Sequence, residues 1–446
     1  MKKILVAFLA LFLFIPYASA NSIDKLIKDS NIGLFSTVSI DVFNLDKNKS
    51  IYKRNEKKLL NPASVLKTLT FASSYNTLSK DYKFNTELYK YNNDIYLKLA
   101  GDTLLTTDDV KKLFSQAKKK YNFEKINNLY VDNSIIDSKS YPDGWMVDDM
   151  WPNQRILSPY IIDDNYISIY LRRSSLNTKI NIIQNDSYKL PIINNLILSS
   201  ACGVNDIKIE KIENSDSILS LSGCVDKDIN LNVPVLNSEI YFKVKLFDIL
   251  KKSDIVYDKK IITKKTPVNA LKIASVNHSI QDVSKKILKN SDNFASEIVF
   301  KTAAAKYINY SHPATLDDAI KMFYETFDFI DKDEVKIKDG SGVSRYNLIN
   351  TSSIVAMMNK IVKTNGFLDL MATADEGTLS NRLLFLKGNL RAKTGTLADM
   401  SSIVAVFKTK NNNNIVVSSI IQNSPRRKAL LKSFENSLIA LIYRKY

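Results

Sequence analysis

Apolar and polar residues alternate in two regions that lie far apart in the sequence. STVSIDVFNL (36–45) and KSIYKRN (49–55) alternate on either side of a short polar turn, which predicts two neighbouring strands. SSIVAVFKTKNNNNIVVSSIIQN (401–423) predicts a hairpin with the asparagine run as its loop. Strands are therefore expected near the beginning and near the end of the chain.

Apolar residues at three- and four-residue spacing predict helices in several other segments. Asn61 is a good N-cap and Pro62 suits the first helical position, so a helix should open there and run to about residue 79. The other segments with this character are 107–119, 280–307, 351–364 and 426–446. The last of them is amphipathic. It could lie on a membrane, but packing against the sheet is the favoured interpretation.

The middle of the chain, from about residue 83 to 262, is richer in short strands and turns. NTKINIIQNDSYKLPIINNLILSS, for example, alternates apolar and polar residues. Helical segments beside a terminal hairpin, interrupted by a β-rich stretch, indicate an α+β domain with an insertion.

The first twenty residues have the three parts of a signal peptide. Lys2 and Lys3 form a basic region, an apolar run follows, and Ala18-Ser19-Ala20 is a small-residue cleavage site. The run is short for a membrane span, although an uncleaved anchor is the alternative. We therefore expect an exported, periplasmic protein that is cleaved after Ala20 and has at most peripheral membrane association.

Two cysteines, Cys202 and Cys224, are close enough in sequence to close a local loop. In an exported protein a disulfide between them is the favoured interpretation, and two free buried thiols are the alternative. The low count excludes a disulfide-dense scaffold.

The chain is basic, with 63 lysine and arginine residues, 46 acidic residues and a formal net charge of +17. The basic residues are scattered, which favours a solvated face drawn to anionic envelope surfaces over a nucleic-acid arm. His278 and His312 are the only histidines, so a three-histidine zinc site is excluded, and we expect no metal or other cofactor. A Ser-His-Asp triad stays open, although no G-x-S-x-G elbow is present.

Three short motifs occur in order along the chain. They are S-x-x-K at Ser64-Val65-Leu66-Lys67, S-D-N at Ser291-Asp292-Asn293 and K-T-G at Lys393-Thr394-Gly395. Each alone is weak, but their contexts agree: the first opens a predicted helix, the second lies between helices, and the third precedes the hairpin. The set is typical of class A β-lactamases and penicillin-binding proteins.

The first two motifs can supply an activated nucleophile. Residues three apart share a helix face, so Lys67 can take the proton of Ser64 when its amine is neutral. Burial and the nearby ammonium of Lys393 would both lower the pKa of Lys67. At a helix start, the free N–H of Ser64 can point at a developing oxyanion. Ser291 can relay a proton to a leaving nitrogen, and the Asn293 amide can hold a peptide carbonyl.

The third motif can hold the end of a peptide. Lys393, with the hydroxyls of Thr394 and Thr396, can bind a free carboxylate. Gly395 leaves the strand edge bare, so that a peptide can lie beside it as an added strand.

Beyond these motifs, the chain resembles the class C low-molecular-mass penicillin-binding proteins, the D-alanyl-D-alanine carboxypeptidase/endopeptidase family. The stretches that carry the resemblance are AGDTLLT (100–106), VDNSIID (131–137), GWMVDDM (144–150), SDNFASE (291–297), KDGSGVSRYNLI (338–349) and EGTLSNR with AKTGTL (376–397). The long interval between Ser64 and Ser291 matches the family's two extra domains, which class A β-lactamases lack.

The resemblance implies an α+β architecture with a β-lactamase/transpeptidase-like domain, whose antiparallel sheet is flanked by helices. This catalytic domain should comprise residues 21–82 and 263–446. Two smaller β-rich domains should be inserted between the first and second motifs. Domain II is expected at 83–165 and 240–262, and domain III at 166–239.

The resemblance also implies further site residues. The Thr396 N–H should join that of Ser64 in the oxyanion hole. Arg345 and Asp149, with Asp148 as a competing choice, should bind the free end of a stem-peptide side chain, although a structural loop salt bridge is the alternative. Some relatives carry a polar residue where this chain has Ala398, so substrate preference should differ there.

The expected function is that of a penicillin-sensitive serine DD-peptidase acting on peptidoglycan stem peptides through an acyl-enzyme on Ser64. It would remove terminal D-Ala, cleave D-Ala–diaminopimelate cross-links, or do both, and β-lactam antibiotics should acylate it. A β-lactamase is one alternative, but no glutamate has the setting of that enzyme's deacylating base. A catalytically idle envelope-binding or scaffolding protein is the other, but it would be expected to lack a motif residue.

Overall fold

The computed structural model describes residues 17–121, 124–146, 155–174, 179–203, 206–212, 215 and 217–446. The helices in chain order are α1 (Tyr17–Asp29), α2 (Leu66–Leu78), α3 (Thr107–Tyr121), α4 (Ser238–Lys252), α5 (Ile280–Ser284), α6 (Asn293–Tyr307), α7 (Leu316–Thr326), α8 (Thr351–Ile361) and α9 (Lys428–Lys445). The strands are β1 (Thr37–Asn44), β2 (Lys49–Arg54), β3 (Lys83–Tyr91), β4 (Asp94–Lys98), β5 (Leu129–Asp132), β6 (Tyr166–Arg173), β7 (Ile180–Gln184), β8 (Ile192–Leu198), β9 (Ile207–Lys211), β10 (Leu219–Val225), β11 (Ile229–Pro234), β12 (Ile262–Thr263), β13 (Leu271–Ser279), β14 (Val335–Lys336), β15 (Leu348–Ile349), β16 (Arg391–Leu397), β17 (Met400–Lys408) and β18 (Asn414–Gln422).

The chain divides into two compact units. Within the described residues, the first unit contains the part up to Asn76, then Ser284–Ser296 and Ile320–Tyr446, and the second contains Thr77–Val283 and Glu297–Ala319. The α+β class predicted from the sequence is confirmed. The boundaries expected for domains II and III stay predictions.

The first unit is built on a five-stranded antiparallel sheet of order β16-β17-β18-β1-β2. The predicted strand pair and the predicted hairpin both belong to it. K-T-G differs from its expected place, since it lies inside β16, which turns the hairpin into a three-stranded meander. Among the described strands, β16 forms one edge of this sheet.

Helices cover both faces of this sheet because residues alternate along its strands. Val38, Ile40 and Val42 of β1 share a core with α1 and α9, while the intervening Ser39 hydroxyl lies 2.8 Å from that of Thr351 in α8. The amphipathic helix α9 thus packs against the sheet, as the favoured interpretation of its sequence predicted.

The second unit contains a five-stranded mixed sheet of order β12-β5-β4-β3-β13, with α3 packed against β3 and β13. Two three-stranded sheets, β8-β10-β9 and β11-β6-β7, lie in the middle of the sequence. Cys202 and Cys224 form a disulfide with a Cα–Cα distance of 5.7 Å. In the described part of the chain, no helix combines the length and apolar character that crossing a membrane requires.

Candidate active site

Ser64 lies in a short 3-10 turn, Ala63–Val65, instead of the first turn of the predicted α-helix. The Asn61 side-chain oxygen accepts the Ala63 N–H at 2.8 Å, and Ala63 adopts a left-handed φ of 44°. These features bend the chain sharply, so that α2 starts later than the sequence predicts. The conformation is costly for an L-residue, and strain of this kind clusters at functional sites. Ser64 is partly exposed, whereas its neighbours on both sides are buried.

Lys67 is fully buried, and its ammonium has three acceptors. Nζ donates to Ser64 Oγ at 2.8 Å, to Asn293 Oδ1 at 2.7 Å and to the Ser341 carbonyl oxygen at 2.6 Å. Three acceptors match the three N–H groups of a charged lysine. The structure therefore brings the first two motifs together around one nitrogen.

The S-D-N loop follows a turn of π-helix, Lys285–Lys289, a rare element that often marks functional sites. Ser291 then adopts a left-handed φ of 64°, and Asp292 caps α6 by accepting the Ala295 N–H at 2.9 Å. This local structure fixes the loop, so Asn293 is held at the start of a helix with its side chain on Lys67.

Lys393 of β16 is also fully buried. Its Nζ donates to Ser291 Oγ and to the Thr394 carbonyl oxygen, each at 2.8 Å. Burial, and then the charge of Lys67, hold the pKa of Lys393 well below its usual range. The third motif is thereby joined to the second, and Lys393 gives up its proton more readily than an exposed lysine does.

Gly395 is required by a close approach between β16 and the turn that carries Ser64. A Cβ atom built on Gly395 would lie 2.3 Å from Ser402 Oγ and 2.9 Å from both Pro62 O and Ser64 N. The sequence suggested a bare strand edge as the reason for this glycine. Tight packing against the Ser64 backbone is an additional reason.

A loop that the sequence assigned no catalytic part forms another wall of the site. Asp339 is buried and organises it, accepting the N–H groups of Gly342 at 2.8 Å and Ser344 at 2.6 Å. Gly342 has a φ of 82°, and an added Cβ would lie 2.0 Å from Ala63 O. The loop thereby presents its Ser341 carbonyl to Lys67.

The two threonines of β16 lie beside a second segment. Thr394 Oγ1 donates to Thr378 Oγ1 at 2.9 Å, and Thr394 is buried while Thr396 is partly exposed. Before them, Ala392 N donates to Ala372 O at 2.8 Å, and no described strand pairs with the edge beyond that point. An open strand edge of this kind can accept an extended peptide.

Arg345 makes an ion pair that the sequence did not indicate. Its Nη1 lies 2.9 Å from Asp399 Oδ1, in the turn between β16 and β17, and both side chains are partly exposed. Asp399 is therefore a partner of Arg345 in a loop salt bridge of the kind kept as the alternative. Asp149 and Asp148 lie outside the described residues.

Around Ser64, these groups combine a hydroxyl, two buried lysines, a second serine and an amide, all within the first unit. Such a set can remove a proton from a nucleophile and stabilise negative charge. In the part of the chain that the structure describes, no three or more potential metal-binding side chains come together.

Comparison with known proteins identifies a family and a fold that cover nearly the whole chain. The model of the D-Ala-D-Ala carboxypeptidase 3 (S13) family matches residues 19–442. The D-alanyl-D-alanine carboxypeptidase DacB of Haemophilus influenzae is 23% identical over 457 residues, covering 94% of this chain and 92% of that protein. The crystal structure of penicillin binding protein 4 (dacB) from H. influenzae has a TM-score of 0.82 at 21% identity and covers 95% and 99% of the two chains. That protein has also been solved with a β-lactam (TM-score 0.77, 20% identity, the same coverage).

Proposed function

The chain belongs to the D-Ala-D-Ala carboxypeptidase 3 (S13) family, and from this premise we propose that it is a penicillin-sensitive serine DD-peptidase of the cell envelope. The observation that carries the proposal is the 2.8 Å contact between Lys67 Nζ and Ser64 Oγ in a site that also holds Lys393. The substrate is a peptidoglycan stem peptide, and β-lactams act as covalent inhibitors of the same serine.

The reaction begins when one of the two buried lysines loses a proton. Two ammonium groups in a dry site repel each other, so Lys67 and Lys393 titrate as a pair. With Lys67 neutral, Ser64 Oγ transfers its proton to Nζ and attacks the carbonyl carbon of the penultimate D-Ala. The backbone N–H groups of Ser64 and Thr396 stabilise the resulting oxyanion.

The tetrahedral intermediate collapses when the leaving nitrogen gains a proton. That proton passes from Lys67 with Ser291 as relay, the peptide C–N bond breaks, and an ester to Ser64 remains. Water then attacks the ester carbon, and one of its protons passes to Ser64 Oγ as the ester bond breaks. The carboxylic acid that forms loses its proton to solvent, and the shortened peptide leaves as a carboxylate. Removal of terminal D-Ala and cleavage of a D-Ala–diaminopimelate cross-link share these steps.

Substrate recognition follows from the edge of β16. The substrate backbone lies beside residues 394–396, and its terminal carboxylate takes the charge of Lys393 with the hydroxyls of Thr394 and Thr396. The side-chain NH2 group of Asn293 donates a hydrogen bond to the carbonyl oxygen of the substrate peptide. Arg345 and Asp149 receive the end of the stem-peptide side chain, and Asp399 competes for the guanidinium.

We further propose that the protein is exported to the periplasm and that its precursor is cleaved after Ala20. Cleavage there would remove the first turn of α1 and keep Ile23 and Ile27, which are buried in the core of the first unit.

The proposal is tested by incubating the protein with a fluorescent penicillin and with a pentapeptide ending in D-Ala-D-Ala. Wild type should be labelled and should release D-alanine, and Ser64→Ala should do neither. Ser74→Ala, in the helix α2 that follows the Ser64 turn, is the matched control and should behave as wild type, because among the described residues its hydroxyl bonds to the Thr70 carbonyl alone. A wild-type protein that neither labels nor releases D-alanine would exclude the peptidase function.

A further inference from the structure

A polar cavity of about 260 Å³ lies within the second unit, on one face of the five-stranded mixed sheet. Its lining includes Ala100 of AGDTLLT and Asp132, Ser134 and Ile135 of VDNSIID. Neither stretch has a role in the proposed reaction. Lys83, Asn85 and Glu87 of β3 occupy alternate positions and so share one face of that strand. Side chains from several strands of the sheet therefore form the cavity together.

Three lysines at this cavity have no ion-pair partner among the described residues. Lys83, Lys98 and Lys265 line it, all three are exposed, and none makes an ion pair among the described residues. Lysine side chains that converge without a carboxylate partner form a site of positive potential.

The two carboxylates that line the cavity are already engaged. Glu87 bonds to Lys272 at 3.0 Å and to the Tyr89 hydroxyl at 2.7 Å. Asp132 is buried and accepts the Ser134 hydroxyl at 2.6 Å and the Thr266 N–H at 2.7 Å. Both acids keep their negative charge, but the three lysines of the lining outnumber the two carboxylates by one positive charge, so the cavity favours an anion.

The rest of the lining suits a small peptide better than a bare inorganic anion. Leu99, Ala100 and Ile135 contribute apolar atoms to its lining. Tyr82 and Tyr310, whose hydroxyls bond to each other, add polar groups at the rim. Apolar walls with a few convergent polar groups are the usual composition of a ligand site, and this volume lies just below the range of about 300–1,000 Å³ that is usual for ligand pockets.

We propose that this cavity is a second, non-catalytic binding site for the carboxylate-bearing stem peptides of peptidoglycan. The assignment of the ligand rests on the proposed function, whereas the preference for an anion rests on the cavity alone. A polymer that carries many stem peptides offers ligands to this site as well as to Ser64, so the cavity favours retention on polymeric substrate.

The test uses the full-length protein after its Ser64 site has been blocked with penicillin. The triple variant Lys83→Gln/Lys98→Gln/Lys265→Gln should bind insoluble peptidoglycan about tenfold more weakly in cosedimentation than wild type, because three weak charge contacts are lost. Unblocked, it should hydrolyse the soluble pentapeptide with unchanged kcat/KM.

A matched control neutralises three exposed lysines elsewhere in the same unit, as Lys111→Gln/Lys119→Gln/Lys260→Gln. It has the same net charge and should bind peptidoglycan as wild type does. Equal weakening in both triple variants would show an effect of net charge and overturn the proposal, as would unchanged binding in the cavity variant.

Competition identifies the ligand. A soluble peptide ending in D-Ala-D-Ala should displace the blocked wild-type protein from peptidoglycan, and inorganic phosphate at equal ionic strength should not. Equal displacement by phosphate would overturn the peptide assignment. If unblocked wild type neither labels with penicillin nor cleaves the pentapeptide, the proposed function fails, while cosedimentation of the unblocked variants still tests the anion site.

Discussion

Gly395→Ala should slow acylation of Ser64 by displacing β16 from the turn that carries the nucleophile. Ordinary contact begins at 3.4 Å, whereas the new Cβ would lie 2.9 Å from Pro62 O and Ser64 N, so strand and turn must separate by about 0.5 Å. Misplacement by 1 Å can cost about a hundredfold in rate, so we expect a loss of about tenfold or more. Overpacking should also lower the free energy of unfolding by about 1–3 kcal/mol.

The assay is the rate of acylation by a chromogenic β-lactam in a single turnover, together with urea unfolding. Gly203→Ala is the control, because a Cβ there meets nothing within 4 Å. It should acylate at the wild-type rate and change stability by at most about 0.5 kcal/mol.

A double variant separates the two kinds of contact at this position. Ser402→Ala removes the hydroxyl that lies 2.3 Å from the new Cβ, but the contacts with Pro62 O and Ser64 N are with backbone and persist. Gly395→Ala/Ser402→Ala should therefore remain slow compared with Ser402→Ala alone. Recovery of the Ser402→Ala rate would refute the view that the Ser64 turn is the wall against which β16 packs.

Three further results are expected. The acylation rate should rise with pH through an apparent pKa that belongs to the buried Lys67–Lys393 pair and lies below the usual lysine range, because Ser64 can give its proton to Lys67 only after the pair has lost one proton; a flat profile from mildly acidic to alkaline pH would contradict this. Asp399→Asn should lower KM about two- to fivefold for stem peptides whose side chain ends in a carboxylate, since Asp399 no longer competes for Arg345; equal KM values on peptides with and without that group would exclude competition. The hydrogen bond that the His278 imidazolium donates to Asp102 raises the pKa of His278 above 6.5, so its stabilisation is complete below pH 6.5 and is lost as pH rises through the folded-state pKa. His278→Asn should accordingly cost about 1 kcal/mol at most in urea unfolding at acid pH, with the difference shrinking in alkali, because solvent screens this partly exposed pair.

Sequence patterns predicted most of the sheet that supports the site. Alternation places β1 and β2 almost at their observed ends, because one residue in two of a half-buried strand must be apolar. The spacing and order of the three motifs were enough to identify Ser64, Lys67 and Lys393 as candidate site residues. The structure brings these three residues together in one site.

Other features of the site leave little trace in a sequence. The Ser341 group that bonds Lys67 is a carbonyl oxygen, which every residue carries, so no residue type marks it. The left-handed conformations of Ala63 and Ser291 come from tertiary packing, since neither residue favours them by itself. Asp399 is close to Arg345 only because the β16–β17 turn brings it there, and no local spacing relates the two.

The pairing of β1 with β18 has a consequence for biosynthesis. Thr37 pairs with Gln422, and Ile23 and Ile27 share a core with the C-terminal helix α9. Such contacts join residues that are very far apart in the sequence, and they form late because closing a long loop costs entropy before it gains contacts. A nascent chain can therefore carry Ser64 and Lys67 long before it carries β16, which supplies Lys393. The chain stays inert as a hydrolase until nearly all of it has been synthesised.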